Sequence, residues 1–422
     1  MNKRQLPEGF LEMAKKLPGI DNERFIEAMQ GNPTVCVRIN KRKRVPVFAN
    51  AEKVKWNPNA FYLDFRPDFI FDPLFHAGAY YVQEASSTVY ETLIEKIVKQ
   101  TGGKALNVLD MCAAPGGKTT AMINALPDGS FVWANEVVEK RASVLKENLA
   151  KWGYPNVRIT SHDTSYFADG NHTFDVVAVD APCSGEGMMR KEEKAIEQWS
   201  PGLIEQCAAL QRKILKNAVE ALAPGGYLIY STCTFNPLEN EDNAQFVVNE
   251  LGLQPVDPEF PKDWGIIKSM YGDYPFYRFM PHETKGEGLF LAVFKKEGEL
   301  HPGITRMEEG KTGEVKGKKG RNKDKEKVKV GDKEGKEDVP IEKILSFDFN
   351  KTEYPGVDLS LEEAISYLRG EPLVLSEDVA KGIVIARYGG LALGAMKNIG
   401  PRANNLYPKP WRIRKAYEPS KQ

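Results

Sequence analysis

Two stretches of the 422-residue chain run from apolar residues to a thiol. VVAVDAPCSGEGMMRK (176–191) places Asp180, Pro182 and Cys183 together. LIYSTCTFNP (228–237) carries Cys233 just before a turn-like Asn236-Pro237. A free cysteine is usually a small buried hydrophobe. A thiol held where a strand ends can also be a nucleophile, and a nearby aspartate can stabilise the adduct it forms. A third stretch, LNVLDMCAAPGGKTTAMI (106–123), reads as a strand, a Gly-rich turn and a helix start. The N–H groups of such a turn and of the helix N-terminus favour an anionic or polar ligand.

Three ligands compete for that turn. A P-loop needs G-x-x-x-x-G-K-[ST]. Gly117-Lys118-Thr119 fits its end, but Cys112 stands at the first glycine position. A dinucleotide fingerprint, G-x-G-x-x-G, is absent. S-adenosylmethionine is the third. Its methionine end would lie over the turn, and its ribose would need an acid at the end of the next strand. Glu136 ends FVWANE, twenty residues after Gly116, where a ribose-binding acid falls in βαβ sites. Asp163 ends RITSHD, where it could meet the adenine. A lone acid at a strand end is usually a helix cap or solvated loop. Three in register on successive strands favour a ligand site.

A methyl donor beside two thiols suggests a particular reaction. Carbon 5 of cytosine is a poor nucleophile. A thiolate adding at carbon 6 turns carbon 5 into an enamine carbon able to accept a methyl group. Asp180 is placed to stabilise the adduct near ring nitrogen 3 and the exocyclic amine. The carbon 5 proton must then be removed, and a second thiol can assist release. The base must be unstacked, so single-stranded or flipped nucleotides are expected. An amino-directed enzyme would carry Asp/Asn-Pro-Pro-aromatic where this chain has Asp180-Ala181-Pro182-Cys183. Of the other cysteines, Cys207 reads as helix core, Cys36 as strand packing, and Cys112 as lining of the cofactor loop.

The elements that must position these groups follow from the pattern. Leu106–Met111, Ser130–Asn135, Val157–Thr160, Val176–Asp180, Gly226–Ser231 and Gly288–Phe294 read as strands. Gly116–Ala125, Glu139–Trp152 and Pro201–Leu222 read as helices between them. Such alternation implies a mostly parallel, doubly wound α/β sheet that binds ligands at its carboxyl edge. Residues 1–75 read as a small α/β appendage with helices Pro7–Lys16 and Asn22–Gln30 and a strand, Val35–Ile39. The catalytic domain is expected over 76–297. Residues 308–338 carry eleven Lys/Arg, nine Asp/Glu and no aromatic residue, so 298–340 is expected to be a flexible linker. A β-rich module with a helix at Leu359–Leu368 is expected over 341–422.

Composition narrows the class. A hydrophobic content of 41% can build a sizeable core. No apolar run is long enough for a membrane span. The N-terminus lacks the apolar segment of a signal peptide. Five cysteines in a chain this long suggest no disulfide framework. A cytoplasmic, reduced, monomeric protein without metal or membrane attachment is expected. Net charge is zero, but Thr34–Lys55 carries seven Lys/Arg against one acid, and Lys381–Gln422 carries nine against one. These are candidate polyanion footprints, or solvated basic faces.

The chain resembles the NOL1/NOP2/Sun family of RNA (cytosine-C5)-methyltransferases. The likeness rests on YYVQEASS (80–87), DMCAAPGGKT (110–119), DAPCSGEGMMRK (180–191), YSTCTFNPLENE (230–241) and PHETKGEGLFLAVFKK (281–296). It implies a Rossmann-like fold, with Cys233 as nucleophile and Cys183 assisting product release. It implies methyl-donor contacts from Cys112, Ala113, Ala114, Pro115, Gly116, Gly117 and Lys118, and from Glu136, Arg141, Asp163 and Asp180. YPGVDLSLEEAISYLRGE (354–371) and GGLALGAMKNIGPRANNLYPKPWRIRK (389–415) resemble the PUA-like RNA-binding module of the RsmF type. That likeness implies 16S rRNA, or the small ribosomal subunit, as partner, with Tyr407, Trp411, Arg412 and Arg414 fitting RNA contacts. A tRNA substrate and a non-catalytic RNA-binding assembly factor remain the alternatives. The charged stretch replaces the fuller segment that precedes the module in such proteins, which leaves the target cytosine open.

Overall fold

The computed structural model describes residues 4–43, 45, 47–269, 271–303 and 354–417. Two short helices open the chain, α1 (Glu8–Ala14) and α2 (Asn22–Gln30). Asp21 starts α2 by accepting the Arg24 N–H at 3.1 Å, which satisfies one of the free donors of its first turn. Strands β1 (Val35–Ile39), β2 (Glu52–Val54), β3 (Asn57–Leu63) and β4 (Tyr80–Val82) form an antiparallel sheet in the order β2-β3-β1-β4. A one-turn helix, α3 (Pro73–His76), precedes β4. The N-terminal sheet thus runs past residue 75, because β4 pairs with β1 across forty residues of intervening chain.

The central sheet carries the chemistry. Strands β5 (Asn107–Asp110), β6 (Phe131–Asn135), β7 (Val157–Thr160), β8 (Phe174–Asp180) and β9 (Leu222–Thr232) are parallel, in the order β9-β8-β5-β6-β7. Helices α4 (Val89–Gln100), α5 (Gly117–Ala125) and α6 (Glu139–Trp152) cover one face. After a short α7 (Glu193–Gln198), helices α8 (Pro201–Glu220) and α9 (Glu241–Asn249) cover the other. Side chains alternate accordingly. Val108, Val132 and Val176 face α4–α6, while Leu109, Trp133 and Val177 face α8 and α9. The chain reverses its direction of growth between β5 and β8, and a ligand crevice opens at such a point.

Beyond β9 the sheet turns antiparallel. Strands β10 (Gln254–Pro255), β11 (Ile267–Lys268), β12 (Tyr277–Phe279) and β13 (Leu289–Lys295) complete nine strands. The sequence pattern reveals only β13 of these. The other three are two or three residues long, too short for alternation to show.

The C-terminal module is a four-stranded sheet of β14 (Gly356–Asp358), β15 (Gly382–Tyr388), β16 (Leu391–Asn398) and β17 (Ala403–Asn405). Its helix α10 (Leu361–Arg369) begins with a reciprocal Ser360–Glu363 cap and ends at Gly370, whose φ is +87°. Ile365 and Leu368 pack on Val384, Leu393 and Met396, each worth about 1.5–3 kcal/mol of burial. Phe71 and Ala77 join the same core, and Trp411 packs on Ala150 of α6. The module is therefore seated on the rest of the protein. Residues 304–353, which hold most of the expected linker, lie outside the described residues.

Two expectations about RNA contacts change. Tyr407 is 2% exposed and packs on Tyr367 at 5.5 Å between ring centroids. Arg412 donates to the Tyr407 carbonyl at 3.3 Å, and Trp411 is half-buried. These residues build the module; Arg414 alone of the four is exposed. Part of the Thr34–Lys55 stretch is likewise engaged within the protein, while Lys53 and Lys55 are exposed. Arg38 is fully buried, Lys41 pairs with Glu95 at 3.0 Å, and Arg42 with Asp128 at 2.9 Å. Lys43 donates to the Ala77 and Lys151 carbonyls, and burial pushes its pKa down to about 7.

Candidate active site

The turn after β5 is fixed from several sides. The Met111 N–H donates to the Ala178 carbonyl at 2.9 Å, and the Ala113 N–H to the Asn135 carbonyl at 2.8 Å. Arg141 Nη2 and Asn148 Nδ2 reach the Ala114 and Pro115 carbonyls, each at 2.8 Å. Gly116 starts α5 at φ +107°, and a side chain there would also press on Leu145 Cδ1 at 3.2 Å. Beneath the turn, Asp110 accepts the Thr119 hydroxyl at 2.6 Å. Burial raises its carboxyl pKa to about 7. Arg38, from β1, grips the first turn of α5. Its guanidinium donates to the Gly117 and Thr120 carbonyls at 3.2 Å and to Thr120 Oγ1 at 2.6 Å.

Glu136 stands at the end of β6, 2% exposed. Its Oε1 accepts the Val138 N–H at 3.0 Å. Its buried Oε2 accepts no hydrogen bond and lies 3.3 Å from Arg141 Nη1. An acceptor buried without a donor is costly unless a ligand supplies one, and a ribose hydroxyl would do so. Asp163 lies three residues beyond the end of β7, is exposed and caps the following turn, accepting from the Ser165 N–H and hydroxyl at 3.0 and 2.7 Å. These bonds hold its pKa below the usual carboxylate value.

Asp180 ends β8 and sits inside a polar chain. Tyr90 shares a hydrogen bond with Ser231 Oγ at 2.9 Å, Ser231 donates to Asp180 Oδ1 at 2.8 Å, and Lys118 Nζ donates to Asp180 Oδ2 at 2.7 Å. Burial is the largest influence on the Lys118 ammonium and works against it, but the charge of Asp180, the hydrogen bond it accepts and other nearby acidic groups together outweigh it and raise the lysine pKa. Lys118 is thus committed to a carboxylate, which disfavours the P-loop reading. Neither Tyr90 nor Ser231 was expected here. Ser231 stands inside YSTCT, two residues before the thiol, so its place at the strand end was available as a signal.

Parallel pairing of β8 with β9 sets Asp180 opposite Ser231. Cys183 and Cys233, three and two residues further on, therefore arrive together, with their sulfurs 3.3 Å apart and both half-buried. The bond to Cys233, together with burial, holds the Cys183 pKa well above the usual thiol value. Cys183 thus presents a thiol directly beside the Cys233 sulfur. The other thiols are placed differently. Cys36 is buried and its pKa is pushed up to about 12. Burial also raises Cys112, on the cofactor turn. Cys207 is half-buried on α8 rather than in the core, with its pKa raised to about 11.

The site therefore joins a Gly-rich turn and the buried carboxylate of Glu136 to a thiol pair and a second carboxylate, Asp180. Among the described residues, no group of His, Cys, Asp and Glu is arranged to hold a metal, and no helix is long and apolar enough to cross a membrane.

Three family models match successive parts of the chain. Residues 100–295 match the family model described as 16S rRNA methyltransferase RsmB/F. Residues 6–85 match the N-terminal domain of 16S rRNA methyltransferase RsmF, and 354–413 its PUA domain. Ribosomal RNA small subunit methyltransferase F of Cronobacter sakazakii is 32% identical, over 70% of this chain and 64% of that protein. The protein of that name from Aliivibrio fischeri is 30% identical, over 72% and 67%. A methyltransferase homolog protein from Pyrococcus horikoshii has a solved structure that superposes with a TM-score of 0.57 at 26% identity, over 69% of this chain and 95% of that one. The chain spans about half to two thirds of the length of the curated relatives it matches. It belongs to the RsmB/F family of 16S rRNA methyltransferases, enzymes that use S-adenosylmethionine.

Proposed function

We propose that this chain methylates carbon 5 of a cytosine in 16S rRNA, with Cys233 as nucleophile and Cys183 assisting release. The observation that carries the reading is the thiol pair, 3.3 Å apart at the ends of neighbouring parallel strands and next to Asp180. S-adenosylmethionine, when bound, supplies an electrophilic methyl group. Glu136 would hold its ribose, the 112–118 turn its methionine end, and Arg141 the Glu136 carboxylate. Asp163 extends the same edge towards the adenine.

The chain's own residues perform the rest. The Cys233 thiolate adds to carbon 6, and the ring's electrons move onto carbon 5. Asp180, held by Lys118 and Ser231, would accept from the exocyclic amine of the cytosine and so hold the ring beside Cys233. Once carbon 5 carries the methyl group, it still bears a proton. Transfer of that proton to solvent water, acting as base, leaves its electron pair to restore the carbon 5–carbon 6 double bond as the carbon 6–sulfur bond breaks and Cys233 departs as a thiolate. Cys183 stands beside that sulfur and assists the expulsion. The paired thiols argue against a purely non-catalytic assembly role.

The test uses RNA from cells lacking the enzyme, separated into 16S rRNA and tRNA and incubated with protein and methyl donor. Nucleoside mass spectrometry should find 5-methylcytosine in the 16S fraction. Methylation of tRNA alone, or of any atom other than carbon 5, would overturn the reading.

A further inference from the structure

The two thiol loops are held to each other by two buried carboxylates, each borne by one loop and hydrogen-bonded to the other. Glu186, three residues after Cys183, is fully buried. Its Oε2 accepts the Phe235 N–H at 2.6 Å, the Asn236 N–H at 3.0 Å and the Thr234 hydroxyl, all from the Cys233 loop. Glu239, six residues after Cys233, is also fully buried. Its Oε2 accepts the Ser184 N–H, the peptide just after Cys183, at 3.0 Å. Asn236 joins the two, donating to Glu239 Oε1 at 2.7 Å and lying 3.2 Å from Glu186 Oε1.

We propose that Glu186 and Glu239 are positioning residues that set the spacing of Cys183 and Cys233, and so the efficiency of release. This rests on the two-thiol reading above. Buried carboxylates are costly unless several donors meet them. Here several of the donors are peptides of the opposite thiol loop, so parting the loops strips each charge of part of its partners; Trp199 Nε1, at 3.0 Å from Glu186 Oε1, and Gln211 Nε2, at 2.8 Å from Glu239 Oε2, supply the remainder from outside the two loops. A direct peptide bond helps. The Gly187 N–H donates to the Cys233 carbonyl at 2.8 Å, and a side chain at Gly187 would meet that oxygen at 2.9 Å. A loop held only by its strand would let a sulfur wander by an ångström or more. The cross-brace removes that freedom at both thiols together.

The test needs neither RNA nor methyl transfer. Phenylarsine oxide condenses with two neighbouring thiols: both sulfurs bond to arsenic, and its oxygen leaves as water with both thiol protons. The wild type should capture one arsenical through Cys183 and Cys233, and Cys183→Ala should not. Glu239→Gln keeps the shape but puts an NH2 group opposite a donor. It should weaken capture at least fivefold while S-adenosylmethionine affinity stays within twofold. Glu186→Gln should do the same. If Glu186→Gln does not fold, Glu239→Gln decides. If neither folds, Asn236→Ser decides, since it takes away the amide that joins the two carboxylates and leaves both carboxylates in place. Capture weakened less than fivefold in the deciding folded variant overturns the brace. Absence of methylation with normal capture would instead fall on the proposed reaction and leave the brace standing.

Discussion

Asp110 offers a quantitative check on the base of the cofactor turn. It is 1% exposed, accepts the Thr119 hydroxyl, and has its pKa raised by burial from 3.8 to about 7. The unfolded chain ionises this group near its ordinary value, whereas the folded protein keeps it neutral until higher pH. Between those two values the folded state binds more protons, so stability falls as pH rises and levels off above about pH 7. At about 1.4 kcal/mol per pH unit, the whole penalty is about 4 kcal/mol, of which about 3 kcal/mol falls between pH 5 and pH 8. Asp110→Asn has no such titration. The stability difference between variant and wild type, from urea unfolding at several pH values, should shift by about 3 kcal/mol in favour of the variant from pH 5 to pH 8. Other titrating groups cancel in that difference. A flat difference would mean that Asp110 ionises freely, and the account of a dry, tightly held turn would fail.

Three further outcomes follow from the geometry. Glu136→Gln should weaken S-adenosylmethionine binding by about 10- to 100-fold, the loss of one charge-assisted hydrogen bond of about 1.5–3 kcal/mol; calorimetric titration showing less than a threefold change would remove Glu136 from the ribose role. Arg38→Met removes the buried hydrogen bonds of the guanidinium to Gln83, Gly117 and Thr120, so it should cost about 3–5 kcal/mol of stability in urea unfolding and weaken the same cofactor; a variant as stable as wild type would refute the clamp. Mild peroxide should join Cys183 to Cys233, two S–H bonds giving way to one S–S bond as the peroxide is reduced to water. Intact-mass spectrometry should find two hydrogens lost, with activity regained in dithiothreitol, and the finding of only oxygen-bearing adducts would contradict the 3.3 Å approach.

What was legible in the sequence was mostly local. The order of β5 to β9 and their helices follows from apolar periodicity and Gly punctuation, and helices such as Glu139–Trp152 begin and end where the pattern places them. The strand ends carrying Glu136, Asp163, Asp180 and the two thiols follow from the same reading, since parallel strands send their carboxyl ends to one edge. Long-range contacts were not legible. Val89, Leu93, Ile94 and Ile97 make an apolar stripe on α4, but nothing local shows that Tyr90 reaches Ser231. Arg38 sits in a basic run and reads as surface charge, yet it is buried over Trp152 at 4.7 Å because β1 crosses the cofactor helix. Tyr407 and Arg412 mislead for the opposite reason. Aromatic and arginine side chains also build small cores, and the seat of the C-terminal module on Phe71 and Ala150 is a contact between segments far apart in the chain.

Covalent capture of RNA tests the central claim most directly. Cys183→Ala protein is incubated with S-adenosylmethionine and total cellular RNA, run on a denaturing gel, and any retained RNA is sequenced. A retained band containing 16S rRNA, lost when Cys233 is also changed to alanine, is the predicted result. No retained RNA, with a wild type that methylates normally, would contradict the roles given to the two thiols.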